Sequence, residues 1–545
     1  MSENLRHILF KNKDQKNLFS EIQGPTMSGD DNGVEKLARQ YGVGPANILG
    51  MSSFYDLTRK ENQGVRAFIC NGSACLLAGT QDALRNHIGE HLPAEQIGEM
   101  CCLGRCHENS AFHYNGRNFS GVDKEGVKRI LDGEQSEGSD SFHSSSDLDM
   151  PVLMSDLRQI EDYKLLINKV LKLNKNQLLE ELKTAMLRGR GGAGFPVWRK
   201  LDICMNTADP QKYIVCNADE GDPGSYSDRY LMEHLPHQIL FGMYVSAYII
   251  GAQKGIIYVR AEYPQSQHII RKACEEWNQF LSEHLTSDFS FIFEMVTGAG
   301  SYVVGEETAL LSSIEGQRPE VRVRPPYPVE AGLFGKPTLV NNVETFANMP
   351  YIIQHGGKAF SRLGTAFSTG TKLVSLDGHF RRPGVYEVLM GKPLLDIIMK
   401  NGQGFSRPVK ALHIGGPLGG IVPSTHFDRL TMDFESFRKY GFELGHASII
   451  SIPDEFPMIR YLIHLFEFVA DESCGKCFPC RLGSKRGADW LTASIREGRK
   501  VDKSLFNELL ITLREGSLCA MGSGLTTPVK NILEHFDKEI DPYFS

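Results

Sequence analysis

Leu187-Arg-Gly-Arg-Gly-Gly-Ala-Gly-Phe-Pro196 contains a literal G-x-G-x-x-G, at Gly189, Gly191 and Gly194, and its surroundings decide what kind of fold it belongs to. A dinucleotide fingerprint follows a strand and opens a helix. Here the residues before the loop, Leu178 to Leu187, read as a helix, so the motif alone is weak evidence for that fold. What four glycines and an alanine do establish is a backbone bare enough to lie against a flat ring or a phosphate. Arg190 and Lys200 add positive charge beside it. An ordinary flexible loop is the bland alternative.

Three further segments supply context: Cys216-Asn-Ala-Asp-Glu-Gly-Asp-Pro-Gly224, Gly298-Ala-Gly-Ser-Tyr-Val-Val-Gly-Glu-Glu-Thr308 and Gly335-Lys-Pro-Thr-Leu-Val-Asn-Asn-Val-Glu-Thr345. Each mixes small residues with Asn, Asp or Glu, which suits hydrogen bonding to a polar ring edge and to ribityl or ribose hydroxyls. Singly, each reads equally well as a solvated turn.

Toward the end of the chain, Glu472-Ser-Cys-Gly-Lys-Cys-Phe-Pro-Cys-Arg-Leu-Gly483 presents Cys474, Cys477 and Cys480, and Gly516-Ser-Leu-Cys-Ala-Met-Gly522 adds Cys519. Three thiolates from one tight loop and a fourth from a separate element match the ligand set of one [4Fe-4S] cluster. A zinc site pairs two Cys-x2-Cys hairpins more often than one such run, and a reducing compartment disfavours disulfides. Near the other end, Cys70, Cys75, Cys102 and Cys106 form a second set with the number of ligands a [2Fe-2S] cluster needs. Its alternatives are a zinc site or a thioredoxin-like domain without metal, and Cys101 competes with Cys102 for a place in the set.

The 545 residues suffice for about three to four domains. A 41% hydrophobic and 23% charged composition is that of a soluble globular protein, and a net charge of −7 argues against nucleic acid as partner. The longest apolar stretch, Ile239 to Val259, is broken by Gln253 and Lys254 and reads as a buried helix followed by a strand, with no transmembrane span. The N-terminus, with Arg6, Lys11, Lys13, Asp14 and Lys16 and no apolar core, does not read as a signal peptide. Exposed thiols and iron–sulfur ligands fit a cytoplasmic protein.

The expected class is α/β multidomain. Residues 1–133 read as a helical segment followed by a small thioredoxin-like domain holding the first cysteine set. The Ser- and acid-rich residues 134–150 read as a linker. Residues 151–365 alternate helices and strands as an α/β sheet domain does, 366–450 have the short strands and turns of a β-grasp-like domain, and 451–545 are helical around the last cysteine motif.

From about Asp156 onward these motifs resemble the flavin-bearing, NADH-oxidising (diaphorase) subunit shared by respiratory complex I, NAD-reducing hydrogenases and NAD-dependent formate dehydrogenases. Residues 20–125 are similar to the small [2Fe-2S] subunit of the same module, fused in front. The resemblance implies an FMN site made by Gly189, Arg190, Gly191, Gly192 and Lys200 on the glycine loop and after it. Asn217, Asp219 and Glu220 would join from the second segment, Tyr302, Gly305 and Glu306 from the third, and Asn341, Asn342 and Thr345 from the fourth. NAD(H) would lie on the flavin with its adenine near Phe195, its ribose on Glu307 and Arg324 nearby. The family often has lysine and phenylalanine where this chain has Arg324 and Tyr327, an aromatic at Ile203 and glutamate at Asp222.

No side chain is expected to act as nucleophile or general base, because the chemistry is that of the carriers. The partners implied are NAD(H) and the iron–sulfur and catalytic subunits of a hetero-oligomeric complex. Two other readings compete. One is a subunit of an electron-bifurcating enzyme, against which weighs the lack of any cysteine after Cys519; the other is a non-catalytic scaffold.

Overall fold

The computed structural model describes residues 21–22, 31–121, 123–134, 140–284 and 289–545. The N-terminal stretch on which the signal-peptide reading rests, and residues 135–139 of the expected linker, lie outside the described residues.

The thioredoxin-like expectation is met by a four-stranded sheet. Ala67–Cys70 (β1) pairs in parallel with Ile97–Met100 (β2) and antiparallel with Ala111–Tyr114 (β3), which returns as Arg117–Ser120 (β4). A parallel pair needs a crossover, and the helices Ser73–Ala78 and Gln81–Gly89 provide it. The preceding helices Asp31–Tyr41 and Pro45–Ser52 pack elsewhere. Leu37, Ile48 and Met51 join Val215, Ile256 and Leu311 in one buried cluster on the central sheet, and Tyr55 Oη donates to Ser313 Oγ (2.8 Å).

Residues 140–150 correct the linker reading. His143–Ser146 (β5) pairs in parallel with Gly384–Leu389 (β11) at the edge of a six-stranded sheet. Composition hides this strand because it is held by its backbone rather than by apolar side chains. A Cβ at Gly384 would lie 2.2 Å from the His143 carbonyl oxygen, so glycine is what lets the strand approach. Just downstream, the buried Glu387 carboxylate accepts the backbone N–H groups of Val152, Leu153 and Met154 at 2.8–3.0 Å.

The central domain is built on four parallel strands, Tyr213–Ala218 (β6), Lys254–Val259 (β7), Ile292–Thr297 (β8) and Thr338–Asn342 (β9), which lie side by side in the order β8-β7-β6-β9. Its crossover helix Pro236–Ile250 is buried almost throughout and stops at Gly251 (φ 78°), after which the chain enters β7. The β-grasp-like sheet contains β11, Thr371–Leu376 (β10), Val409–Ile414 (β12), Gly420–Pro423 (β13) and Ser448–Pro453 (β14), with β5 added at its edge. The helices Met458–Glu472, Ser484–Arg496, Lys503–Gly516 and Thr526–His535 dominate the C-terminal region. Among the described residues no helix is long and apolar enough to cross a membrane.

The crossover helix sets the depth of the whole core. A Cβ at Gly242 would sit 2.1 Å from the Phe346 carbonyl oxygen, a backbone atom that cannot swing away. Gly242→Ala should therefore lower stability by about 1–3 kcal/mol despite alanine's better helix propensity, read as a lower melting temperature. An unchanged or raised melting temperature would contradict this packing.

Candidate functional site

The glycine loop leaves the helix Lys175–Ala185 and enters the helix Val197–Asn206. Its neck is closed by Gly189 N donating to Phe195 O (2.9 Å), Val197 N donating to Leu187 O (3.0 Å) and Arg188 Nε donating to Gly194 O (2.7 Å). Gly192 (φ 115°) and Gly194 (φ 63°) take left-handed conformations that favour glycine. A Cβ on Gly191 would meet the Asn342 Cβ at 3.2 Å. The loop thus lies against the end of β9, where Asn342 Oδ1 caps the next helix by accepting from Thr345 N (2.9 Å).

A cavity of about 730 Å³ opens beside this loop, and a smaller one of about 220 Å³ adjoins it. Gly191, Asn217, Gly305, Glu306 and Asn342 line both, and so do Cys519 and Ala520 from the C-terminal domain. Gly189, Phe195, Lys200, Glu307, Arg324, Asn341 and Thr345 line the larger one only. Asp219, Glu220 and Tyr302 line the smaller one. Two residues expected at the site are not among the lining side chains. Arg190 is fully buried behind the loop, donating from Nη2 to Thr369 O (2.6 Å) beside Glu344, and burial lowers its pKa to about 10; its backbone N donates to Thr345 Oγ1 (2.8 Å). Gly192 faces the backbone of Gly445.

Several lining groups are committed to the protein. The Glu306 carboxylate accepts from Thr308 N and Ala309 N, both at 2.9 Å, and Glu220 accepts from Asp228 N and Arg229 N, both at 2.9 Å. These acids cap helices. Asn341 Nδ2 and Asp219 Oδ2, by contrast, are buried with no hydrogen-bond partner among the described residues. Burial also holds the Asp219 carboxyl well above the usual carboxylate range. An orphaned amide donor on the larger cavity and an unpaired carboxyl oxygen on the adjoining smaller one, beside a bare backbone, fit a polar heterocyclic cofactor such as FMN.

Sequence reasoning missed a buried triad on the same wall. His446, from the turn before β14, sits 3.2 Å from Asp228 Oδ2 through Nε2, and its Nδ1 is 2.9 Å from Ser225 Oγ, which donates to Glu220 (2.6 Å). No motif marks His446; only the packing of the β-grasp-like sheet on the central domain brings it there. Burial alone would lower its pKa, but the Asp228 carboxylate raises it to about 9.

The cysteines assemble as two sets. The Cys70 thiol is close enough to Cys75 and Cys102 for their thiols to shift its titration, Cys102 Sγ is 3.4 Å from Cys106 Sγ, and Gly224 N donates to Cys106 Sγ (3.1 Å). Cys101 lies apart from these contacts: its thiol faces Gly72, and its carbonyl accepts from Arg260 Nη2 (3.2 Å). At the other end, Cys474 and Cys480 are buried and Cys477 and Cys519 partly so. Gly475 turns their loop at φ 82°, and Gly516 and Gly522 leave room for the Pro479 ring and the Cys480 Cβ, closing the Cys519 element onto it. Burial, followed by nearby acidic and thiol groups, pushes Cys519 up to about 12. Thiols packed this way are neutral unless a cation draws off their protons, which suits iron.

Family models match along the chain: the Thioredoxin-like [2Fe-2S] ferredoxin at residues 17–135, the Nuo51 FMN-binding domain at 182–351 and the NADH-ubiquinone oxidoreductase-F iron-sulfur binding region at 460–543. The chain is 38% identical over 399 residues to the NADP-reducing hydrogenase subunit HndC of Solidesulfovibrio fructosivorans, covering 71% of this chain and 81% of that one. It is 38% identical over 387 residues to an NADH-quinone oxidoreductase subunit of Rhizobium meliloti, covering 69% and 91%. The structure of an NAD+-reducing [NiFe]-hydrogenase in the H2-reduced state superposes with a TM-score of 0.85 at 27% identity, covering 97% of this chain and 92% of that one. The chain belongs to the diaphorase family, the FMN- and iron–sulfur-bearing NADH-oxidising subunits of multisubunit oxidoreductases. It carries the FMN-binding, [2Fe-2S] and [4Fe-4S] regions of that family.

The His446–Asp228 pair makes a pH-dependent contribution to stability. Its folded pKa, about 9, lies above the unfolded value of roughly 6.5, so the contribution is complete below that lower value and is lost as pH rises to 9. His446 faces Asp228, Glu220, Asp222 and Lys372, and burial raises the Glu220 and Asp222 carboxyls from their usual values, so comparison with a variant lacking only the imidazole isolates its own contribution. Wild type should lose on the order of 2 kcal/mol more than His446→Gln between pH 6.5 and 9 in denaturant melts. Parallel pH profiles for the two proteins would contradict the assignment.

Proposed function

We propose that this chain is the NAD(H)-handling subunit of a cytoplasmic hetero-oligomeric complex, exchanging hydride with NAD(H) in the cavity beside the glycine loop and single electrons with partner subunits through its iron–sulfur sites. One observation carries this reading: Cys519 lines the same cavity as Gly191 and Asn342. A cysteine of the last set thus forms part of the wall of the space offered to a flavin. Bound there, FMN would supply the conversion between a two-electron hydride and single electrons.

The chain's own residues supply position and exclusion of water. Gly189 and Gly191 leave the backbone open, Asn341 and Asp219 offer unpaired polar atoms, and Asn342 and Thr345 fix the loop against β9. Arg190 acts from behind, holding the loop to Thr369. Phe195, Ile203 and Tyr327, each between 42% and 53% exposed, form an apolar rim suited to an adenine ring. Cys70, Cys75, Cys102 and Cys106 would hold a [2Fe-2S] cluster, and Cys474, Cys477, Cys480 and Cys519 a [4Fe-4S] cluster.

Each functional unit corresponds to a stretch of chain: the first cluster in 1–133, flavin and nucleotide in 151–365, the β-grasp-like unit in 366–450 with β5 at its edge, and the second cluster in 451–545. The relatives are subunits of hydrogenases and of NADH-quinone oxidoreductases, and this supports a catalytic partner subunit, such as a hydrogenase or formate dehydrogenase, as the other end of the electron path.

Gly191→Trp would fill the space between the loop and Asn342. The variant should purify with both clusters but with little flavin, and NADH-driven reduction of an artificial dye should fall at least about a hundredfold, on the order of 3 kcal/mol. Normal flavin content and an unaffected rate would rule out this site.

A further inference from the structure

On the wall of the larger cavity, Glu307 is clamped between two cations. Lys200 Nζ lies 3.1 Å from Glu307 Oε2, and Arg324 Nη1 lies 3.2 Å from Glu307 Oε1 and 3.6 Å from Glu306 Oε1. Their side chains are only 23–28% exposed, so solvent does not fully screen these charges. Lys200 is further anchored to Val340 O (3.0 Å), and Glu306 is committed to its helix cap. Arg324 is less bound: its remaining contact is Nη2 to Leu518 O at 3.4 Å, which leaves most of its five N–H donors unspent.

A lone carboxylate at a nucleotide's ribose accepts the 2′-hydroxyl and repels a 2′-phosphate, whereas an arginine there accommodates the phosphate. This cavity holds both. With Lys200 alone still paired to Glu307, Arg324 can leave that carboxylate for a 2′-phosphate at little electrostatic cost, trading one oxyanion for another. Its planar fork matches a phosphate as a lysine does not. The apolar rim of Phe195, Ile203 and Tyr327 lies on the same cavity and would bring the adenosine end within its reach.

We propose that Arg324 forms a 2′-phosphate subsite, so that this chain takes NADP(H) as well as NAD(H). The inference rests on the reading that a nicotinamide dinucleotide occupies this cavity. It adds a specific role for one side chain, with Lys200 as the residue that keeps Glu307 neutralised.

The test uses two probes differing only in the phosphate in question, 2′,5′-ADP and 5′-AMP, as competitors of NADH on the full flavin-loaded chain and in direct calorimetric titration. In wild type 2′,5′-ADP should bind about tenfold or more tighter than 5′-AMP. In Arg324→Leu that advantage should disappear, with Arg324→Lys in between. The ratio of kcat/KM for NADPH to that for NADH should fall at least about tenfold in Arg324→Leu, whatever happens to each value alone. Because each variant is its own reference, a partly misfolded preparation cannot imitate the change in ratio. The proposal is overturned if 2′,5′-ADP binds no better than 5′-AMP in wild type, or if both ratios survive the loss of Arg324 while NADH oxidation persists. Failure of NADH and 5′-AMP alike to bind would instead overturn the nucleotide reading of the cavity, and this inference with it.

Discussion

The contact on which the rest depends is between the C-terminal helical domain and the central sheet, where Cys519 and Ala520 complete a cavity begun by the glycine loop. Electrons pass usefully only between centres held close and still, so Cys519, the proposed cluster ligand, is worth more in the cavity wall than the same cysteine on a mobile tail. The elements around it maintain this approach. Lys476 Nζ donates to Val321 O (2.7 Å) and Tyr302 N to the Glu472 carboxylate (2.8 Å), tying the cysteine loop and the end of its preceding helix to segments of the central domain. Gly516 and Gly522 let the Cys519 element close over Pro479 and Cys480 without collision.

The other domains are locked on by buried charge. Arg260, at the end of β7, donates from Nη1 to Glu220 O (2.5 Å) and from Nη2 to Cys101 O (3.2 Å), joining the thioredoxin-like domain to the cavity wall. Glu344 pairs with Lys372 across the boundary with the β-grasp-like sheet, both fully buried. Buried ion pairs add little net stability because each charge costs a desolvation penalty, yet losing one partner strands the other. The effect here is geometric: the Glu344–Lys372 pair fixes the β-grasp-like sheet, and the Arg260 guanidinium, through backbone carbonyls, fixes the thioredoxin-like domain.

The cysteine spacings and the glycine-rich segments were legible because part of their signal is local: the run Cys474-x2-Cys477-x2-Cys480 narrows the chemistry by itself, and the glycine-rich segments, ambiguous singly, gain meaning from one another. The helix before Gly189 was visible for the same reason. What depended on distant packing was not. Arg190 looks like a cavity cation in the sequence, but Thr369 and Glu344, far along the chain, draw its side chain behind the loop. His446 carries no motif at all, and β5 has a linker's composition because its partner, β11, supplies the glycine that admits it. The Cys101–Cys102 ambiguity turns on neighbours that no spacing contains: Cys101 Sγ lies beside Gly72, whereas Cys102 Sγ lies beside Cys106, which favours Cys102 for the set.

A barer reading, a scaffold with inert cysteines, would leave the orphaned polar atoms of Asn341 and Asp219 and the open wall at Cys519 without purpose. The most direct measurement is an anaerobic NADH titration of the full, cluster-loaded chain followed by visible absorbance and low-temperature EPR. A shared wall between nucleotide cavity and cluster predicts that NADH bleaches a bound flavin and that reduced iron–sulfur signals appear with it. Iron–sulfur centres that stay oxidised under NADH yet reduce with dithionite, in a sample with no flavin chromophore, would contradict it.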